Sequence, residues 1–196
     1  TESGVAGGLV GTNNGALGNS YSDSAVTSTA GTSNGLGGVA GVNTQNGDVQ
    51  FVDSLGVTNG GTNSDKVGGI IGVNNGNMYS GYNESIVSGS SNVGGIIGQN
   101  GDKDQNIKGT VSNVVNATSV TGSSNYVGGL VGANTGSVTN GRNNGSITGN
   151  NFVGGLVGSN SAGSKLEDLV NAESADIVGE DYVGGIAGTN SGDITA

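Results

Sequence analysis

The sequence predicts an all-β fold, a parallel β-solenoid (β-helix) of about seven roughly triangular coils of 26–34 residues. Three observations predict it. A marker of the form aliphatic-Gly-Gly-aliphatic-aliphatic-Gly-x-Asn recurs seven times. Each period holds three short β-prone stretches divided by Gly, Asn and Ser turn signals. Helical periodicity is almost absent.

The markers begin at Ala6, Leu36, Val67, Val93, Val127, Val153 and Val183, and their first glycines stand 30, 31, 26, 34, 26 and 30 residues apart. The second stretch follows a small residue and Gly, as in Gly47-Asp48-Val49, Gly76-Asn77-Met78 and Gly136-Ser137-Val138. The third is an aliphatic residue before Thr or Ser, as in Ile86-Val87-Ser88-Gly89 and Ile147-Thr148-Gly149. Lys165–Val170 is the one stretch open to a helical reading; it aligns with the stretch around Val114-Val115 and reads as a strand.

One coil cannot bury its apolar side chains alone, but stacked coils can. At a coil spacing of about 4.8 Å, seven coils make a rod about 34 Å long. Equivalent residues then lie above one another. Asn13, Asn43, Asn74, Asn100, Asn134, Asn160 and Asn190 share one position, where amides can bond along the axis and satisfy corner backbone groups. Strict alternation would put Val127 and Val131 on one face and Leu130 on the other. Either a bulge at the Gly-Gly pair turns all three inward, or one ladder faces outward. The whole of 1–196 reads as a single repeat domain, a piece of a longer repeat protein.

Composition explains why placement matters. There are 43 Gly and no Pro, Cys, His or Trp, and charged residues are only 10%. Leu, Ile, Val and Phe supply about 22%, just above the range in which disorder is the default. Glycine raises the entropy cost of folding further. The net charge is −10, and the five cations Lys66, Lys103, Lys108, Arg142 and Lys165 do not cluster. Nucleic acid and anionic membrane surfaces need clustered cations, so both are rejected as partners. No apolar run approaches the length of a membrane helix, which argues against membrane insertion. Without Cys there are no disulfides.

The repeat resembles the GLUG-type repeats of large bacterial surface and secreted proteins. Val127 to Gly149, VGGLVGANTGSVTNGRNNGSITG, follows that pattern closely, and Asn19-Ser20-Tyr21 matches its Tyr-bearing block. The insertion Gly101–Lys108 and the loss of that Tyr from most units depart from it. The resemblance implies an extracellular or cell-surface location. Such repeats occur in adhesins, in haemagglutinin-like exoproteins and in non-catalytic parts of surface peptidases that include those cleaving immunoglobulin A.

Candidate sites are few. Without His or Cys, the Ser-His and Cys-His nucleophile pairs and His-ligated metals are excluded, so the chain is read as non-enzymatic and free of cofactors. The acidic run Glu167, Asp168, Glu173, Asp176, Glu180 and Asp181 reads as a solvated face. Asp102, Asp104 and Asn106 carry the alternate oxygen ligands that open a calcium loop, but Ile107 stands where such a loop needs Gly and Asn113 where it needs a bidentate Glu, which favours a plain surface insertion over a calcium site. Tyr126, Phe152 and Tyr182 each precede a marker Val and should stack into an aromatic ladder. That ladder either stiffens the rod or, if the rings face outward, offers a strip for sugar or a protein partner.

Three functions follow as expectations. The first is a structural and adhesive stalk that binds a host or neighbouring-cell surface protein or glycan. The second is a non-catalytic region of a large secreted peptidase or glycan-active enzyme. The third is an extracellular fibre subunit that self-associates end to end through free strand edges.

Overall fold

The computed structural model describes residues 4–28 and 33–196. It is an all-β parallel solenoid, and no helix occurs among the described residues. Strands stack coil upon coil into four parallel sheets, three of seven strands and one of six. There are thus six complete coils and a seventh that carries the first three of its four strands.

Each coil has four strands where the sequence reads as three, because the Gly-Gly pair divides the marker. In the fifth coil the first face is Asn125–Gly128 and the second is Val131–Asn134. The third face is Ser137–Asn143 and the fourth is Ile147–Thr148. The chain turns at Gly129-Leu130, and Val127, Leu130 and Val131 are all fully buried. This settles the alternation problem by a corner: Val127 and Val131 belong to different sheets. At the corner the N–H groups of Leu130 and Val131 both donate to the Leu156 carbonyl of the next coil, at 2.8 and 3.0 Å.

The corner also divides the core. Val127 and its equivalents Leu36, Val67, Val93 and Val153 pack against Val87, Val120 and Ile147 of the fourth face. Leu130, Val131 and their equivalents pack against Met78, Val111, Val138 and Leu166 of the third face. Each fully buried Val, Ile or Leu contributes about 1.5–3 kcal/mol, so two thin aliphatic columns offset the entropy that the glycines add. Aromatic rings have no place in either column.

The seven Asn of the marker form the expected ladder. Each Nδ2 donates to the Oδ1 one coil further on, from Asn13 to Asn43 and so to Asn190, at 2.8 Å in all six links. A second ladder closes the third face: Asn83, Asn116, Asn143 and Asn171 are linked at 2.8–2.9 Å. Ser22 and Ser54 take that position in the first two coils.

The third-face strands bend in the middle. Asn19, Phe51, Ser80, Asn113, Asn140 and Asp168 have φ between 51° and 57° and drop out of the strand register. In Asn77–Asn83 this puts Met78, Gly81 and Asn83 inside and leaves Tyr79 and Tyr82 exposed. The left-handed residue thus inserts an extra outward position into the alternation.

Candidate functional site: the outward aromatic residues and the 101–108 loop

The position before the marker Val is also left-handed. Lys66, Asn92, Tyr126, Phe152 and Tyr182 have φ of 59°, 50°, 61°, 55° and 54°. Neighbouring residues pair across coils, Asn125 with Asn151 and Val127 with Val153, while these are left out of register and turned outward. Left-handed backbone is costly for a ring-bearing residue, by about 1–2 kcal/mol. Stacking offsets it. Tyr126 and Phe152 stack with centroids 5.1 Å apart, Phe152 and Tyr182 with centroids 4.7 Å apart and planes 7° from parallel.

The aromatic ladder is therefore formed, but stacking uses up the ring faces. Both faces of Phe152 are covered. The end rings each stack on one side only: Tyr126, half-buried, shares a hollow with Asn92 of the fourth coil, and Tyr182 is 66% exposed. We expect Phe152→Ala to lower stability by about 1–2 kcal/mol through loss of two stacking contacts. Phe152→Asn should cost less, because Asn tolerates left-handed backbone. Thermal melts of the two variants give the order; an Asn variant melting below the Ala variant would refute this account.

The 101–108 loop lies beside Tyr126. It is an excursion that leaves the coil in register. In most coils the ladder Asn donates to the carbonyl two residues on, as Asn74 does to Gly76. Asn100 instead donates at 3.0 Å to Gly109, across the loop. An antiparallel bridge between Asp102 and Ile107 closes the excursion.

Within it, Asp102 Oδ1 accepts the N–H groups of Asp104 and Gln105 at 2.9 and 3.2 Å, and Oδ2 accepts the Gln105 amide at 2.7 Å. Desolvation pushes the Asp102 carboxyl up, but these hydrogen bonds and the Lys66 charge outweigh it and hold its pKa below the ordinary value. Asp104 pairs with Lys103 at 2.5 Å. Of the three calcium-loop residues, Asp102 and Asp104 line a hollow of about 240 Å3 with Tyr126, Gln99 and Thr135. Asn106 lines a smaller one, of which Asp102 but not Asp104 is also part. The carboxylates are folded onto the loop's own donors, and no group of three His, Cys, Asp or Glu side chains comes together among the described residues.

Excision of residues 102–108 leaves Asn100-Gly101-Gly109, the spacing of Asn74-Asn75-Gly76 in the third coil. The expected result is a melting temperature within a few degrees of the parent. Calcium should shift neither protein. A calcium-induced rise that excision abolishes would make the loop a metal site.

The acidic run stands as a solvated face, with Asp168, Glu173, Asp176, Glu180 and Asp181 exposed and Glu167 half-exposed beside Lys165. Sequence reading missed a second aromatic set on the third face of the first three coils. Tyr21, Phe51, Tyr79 and Tyr82 are all exposed there, with Phe51 edge-to-face on Tyr79 at 5.5 Å. Tyr82 donates to Glu84 at 3.2 Å. Burial and then that carboxylate raise its phenol pKa. Only the phase of the bend shows that these rings share a face. Compared with protein-family models, curated protein sequences and solved structures, the chain has no match.

Proposed function

We propose that the chain is a structural and adhesive segment of a bacterial cell-surface or secreted protein, a rod that carries attachment surfaces along its sides. One observation carries the reading. The chain has five Tyr and two Phe, and none of the seven is buried. Core building normally takes aromatic rings inside, where their large area is most useful. Here an aliphatic core holds the rod together and the rings are left for contacts outside it. The resemblance of Val127–Gly149 to GLUG-type repeats supports the extracellular placement. The net charge of −10 supports a neutral or cationic counterpart rather than nucleic acid.

The test is attachment. Beads coated with the protein are expected to bind cells of bacterial or host origin above the level of beads coated with an inert protein of equal charge. Excess soluble protein should compete. Equal retention of both bead types on every surface tried would overturn the reading.

A further inference from the structure

The left-handed column and the sixth strand position of the third face rise on either side of the fifth, which is turned inward. In coils four to six this makes a trough of about 400 Å3, bounded by Asn113, Asn140 and Asp168 on one side and Val115, Arg142 and Val170 on the other. The same register continues into the first three coils. There the floor is Ser20, Val52 and Gly81. One wall is the column Tyr21, Asp53, Tyr82, and the other carries Phe51, whose ring meets Tyr79. Tyr21, Phe51 and Tyr82 are 66%, 52% and 37% exposed.

We propose that this trough binds an extended, neutral, β-linked polysaccharide lying parallel to the rod axis. The inference rests on the adhesive reading and names its ligand class. Four features point to that occupant. Flat rings offer the apolar surface on which the C–H face of a pyranose packs. Tyr21 and Tyr82 are two coils apart, about 10 Å, comparable with the two-sugar repeat of such a chain. The Asp53 carboxylate between them accepts hydroxyl hydrogen bonds, which a patch built for an apolar protein surface would avoid. Finally, Asp23, Asp48, Asp53 and Glu84 are the charges of this face and its edge in the first three coils, with no Lys or Arg among them. An anionic glycan is therefore repelled, and so is the same face of a second copy.

Affinity electrophoresis of the intact protein tests this, with hydroxyethyl cellulose and mixed-linkage β-glucan as neutral β-linked probes, dextran as an α-linked probe and alginate as an anionic one. The β-linked polymers should retard the protein, with alginate and dextran weaker. The double variant Tyr21→Ala/Tyr82→Ala should raise the dissociation constant about tenfold or more at unchanged melting temperature. Ile86→Ser, an exposed position on another face, should bind as the parent does. Tyr21→Leu keeps apolar bulk without a flat ring and gives the same readout should the double variant fold poorly.

The proposal is overturned if no β-linked polymer retards the protein, or if alginate retards it most. It also fails if the double variant binds like the parent, or if sedimentation shows a dimer that the double variant dissolves while glycans leave the parent unaffected. Glycan binding by a protein whose coated beads do not attach would sink the adhesive reading alone. Attachment indifferent to Tyr21 and Tyr82 would sink the trough alone.

Discussion

Gly128→Ala is expected to disrupt the coil around it, with a loss of about 4 kcal/mol or more, while Gly15→Ala leaves the melting temperature within a degree or two of the parent. The difference lies in what a methyl group would meet. A Cβ at Gly128 would stand 2.2 Å from the Val131 carbonyl oxygen, 2.7 Å from the Gly158 nitrogen and 2.8 Å from the Leu156 oxygen. All three are backbone, one in the same coil and two in the next. No rotamer change relieves such contacts; the corner must open or the coils must separate. Opening it exposes Leu130 and Val131 and breaks the paired bonds to Leu156. The same position in neighbouring coils is as tight, with Gly94 2.1 Å from the Ile97 oxygen and Gly154 1.9 Å from that of Val157.

Gly15, by contrast, has nothing within 4 Å of its would-be Cβ and no left-handed backbone. Alanine there loses less entropy on folding, which offsets any small cost. Circular-dichroism melts of both variants decide it. A Gly128→Ala protein that melts with the parent would mean that the corner is softer than its geometry.

What the sequence made legible was whatever is enforced by side chains inside the rod. The marker glycines, the aliphatic positions and the ladder from Asn13 to Asn190 each tolerate few residue types, so they repeat visibly. Lys165–Val170, read as a strand against its local pattern, lies in the strand Lys165–Asn171, paired in register with Ser137–Asn143. The second Asn ladder was harder to see. Ser22 and Ser54 interrupt it in the first coils, and a chain rich in Asn hides one more column.

The two left-handed columns left only a partial trace in residue type: Asn19, Asn113, Asn140 and Asp168 of the third-face column are types that tolerate left-handed backbone, but Phe51 and Ser80 interrupt it and the other column is mixed. Lys66, Asn92, Tyr126, Phe152 and Tyr182 occupy that other column. Their side chains point outward, so packing does not select them. Only the backbone is constrained. Yet these columns decide which rings reach solvent together. The fold was therefore readable from its interior, whereas the arrangement of the exposed rings depended on a backbone conformation that the residues advertise only in part.

The interior ladder itself makes the second large prediction. Asn100→Leu is expected to lower stability by about 3–5 kcal/mol, with unpaired polar groups costing about 1–3 kcal/mol each. Asn100 is fully buried. Its Nδ2 donates to Asn134 Oδ1 at 2.8 Å and to the carbonyls of Gly109 and Ser137 at 3.0 and 3.3 Å. Its Oδ1 accepts from Asn74 at 2.8 Å. Leucine removes the in-line acceptor of Asn74, whose Nδ2 keeps only the longer bonds to the Gly76 and Thr110 carbonyls, and takes one donor each from the Gly109 and Ser137 carbonyls and from Asn134 Oδ1, the first and last of which keep one backbone N–H each. Asn190, exposed at the end of the ladder, gives the control, and Asn190→Leu should cost little.

Asn100→Asp separates hydrogen bonding from shape. An ionised Asp there would face three acceptors with one donor, from Asn74, to hold it, and burial disfavours the charge further. Its folded pKa is therefore raised above the unfolded value of about 3.9. A raised folded pKa gives stability that is fully present below the unfolded pKa and lost as pH rises through the folded one. Relative to the parent at each pH, the Asp variant should recover on acidification, when its protonated oxygen can again donate to Asn134, while the Leu variant should not. Thermal melts from neutral pH down to about pH 4 show which holds. An Asn100→Leu protein as stable as the parent, or an Asp variant whose deficit ignores pH, would mean that the amide column records the stacking of coils without contributing to it.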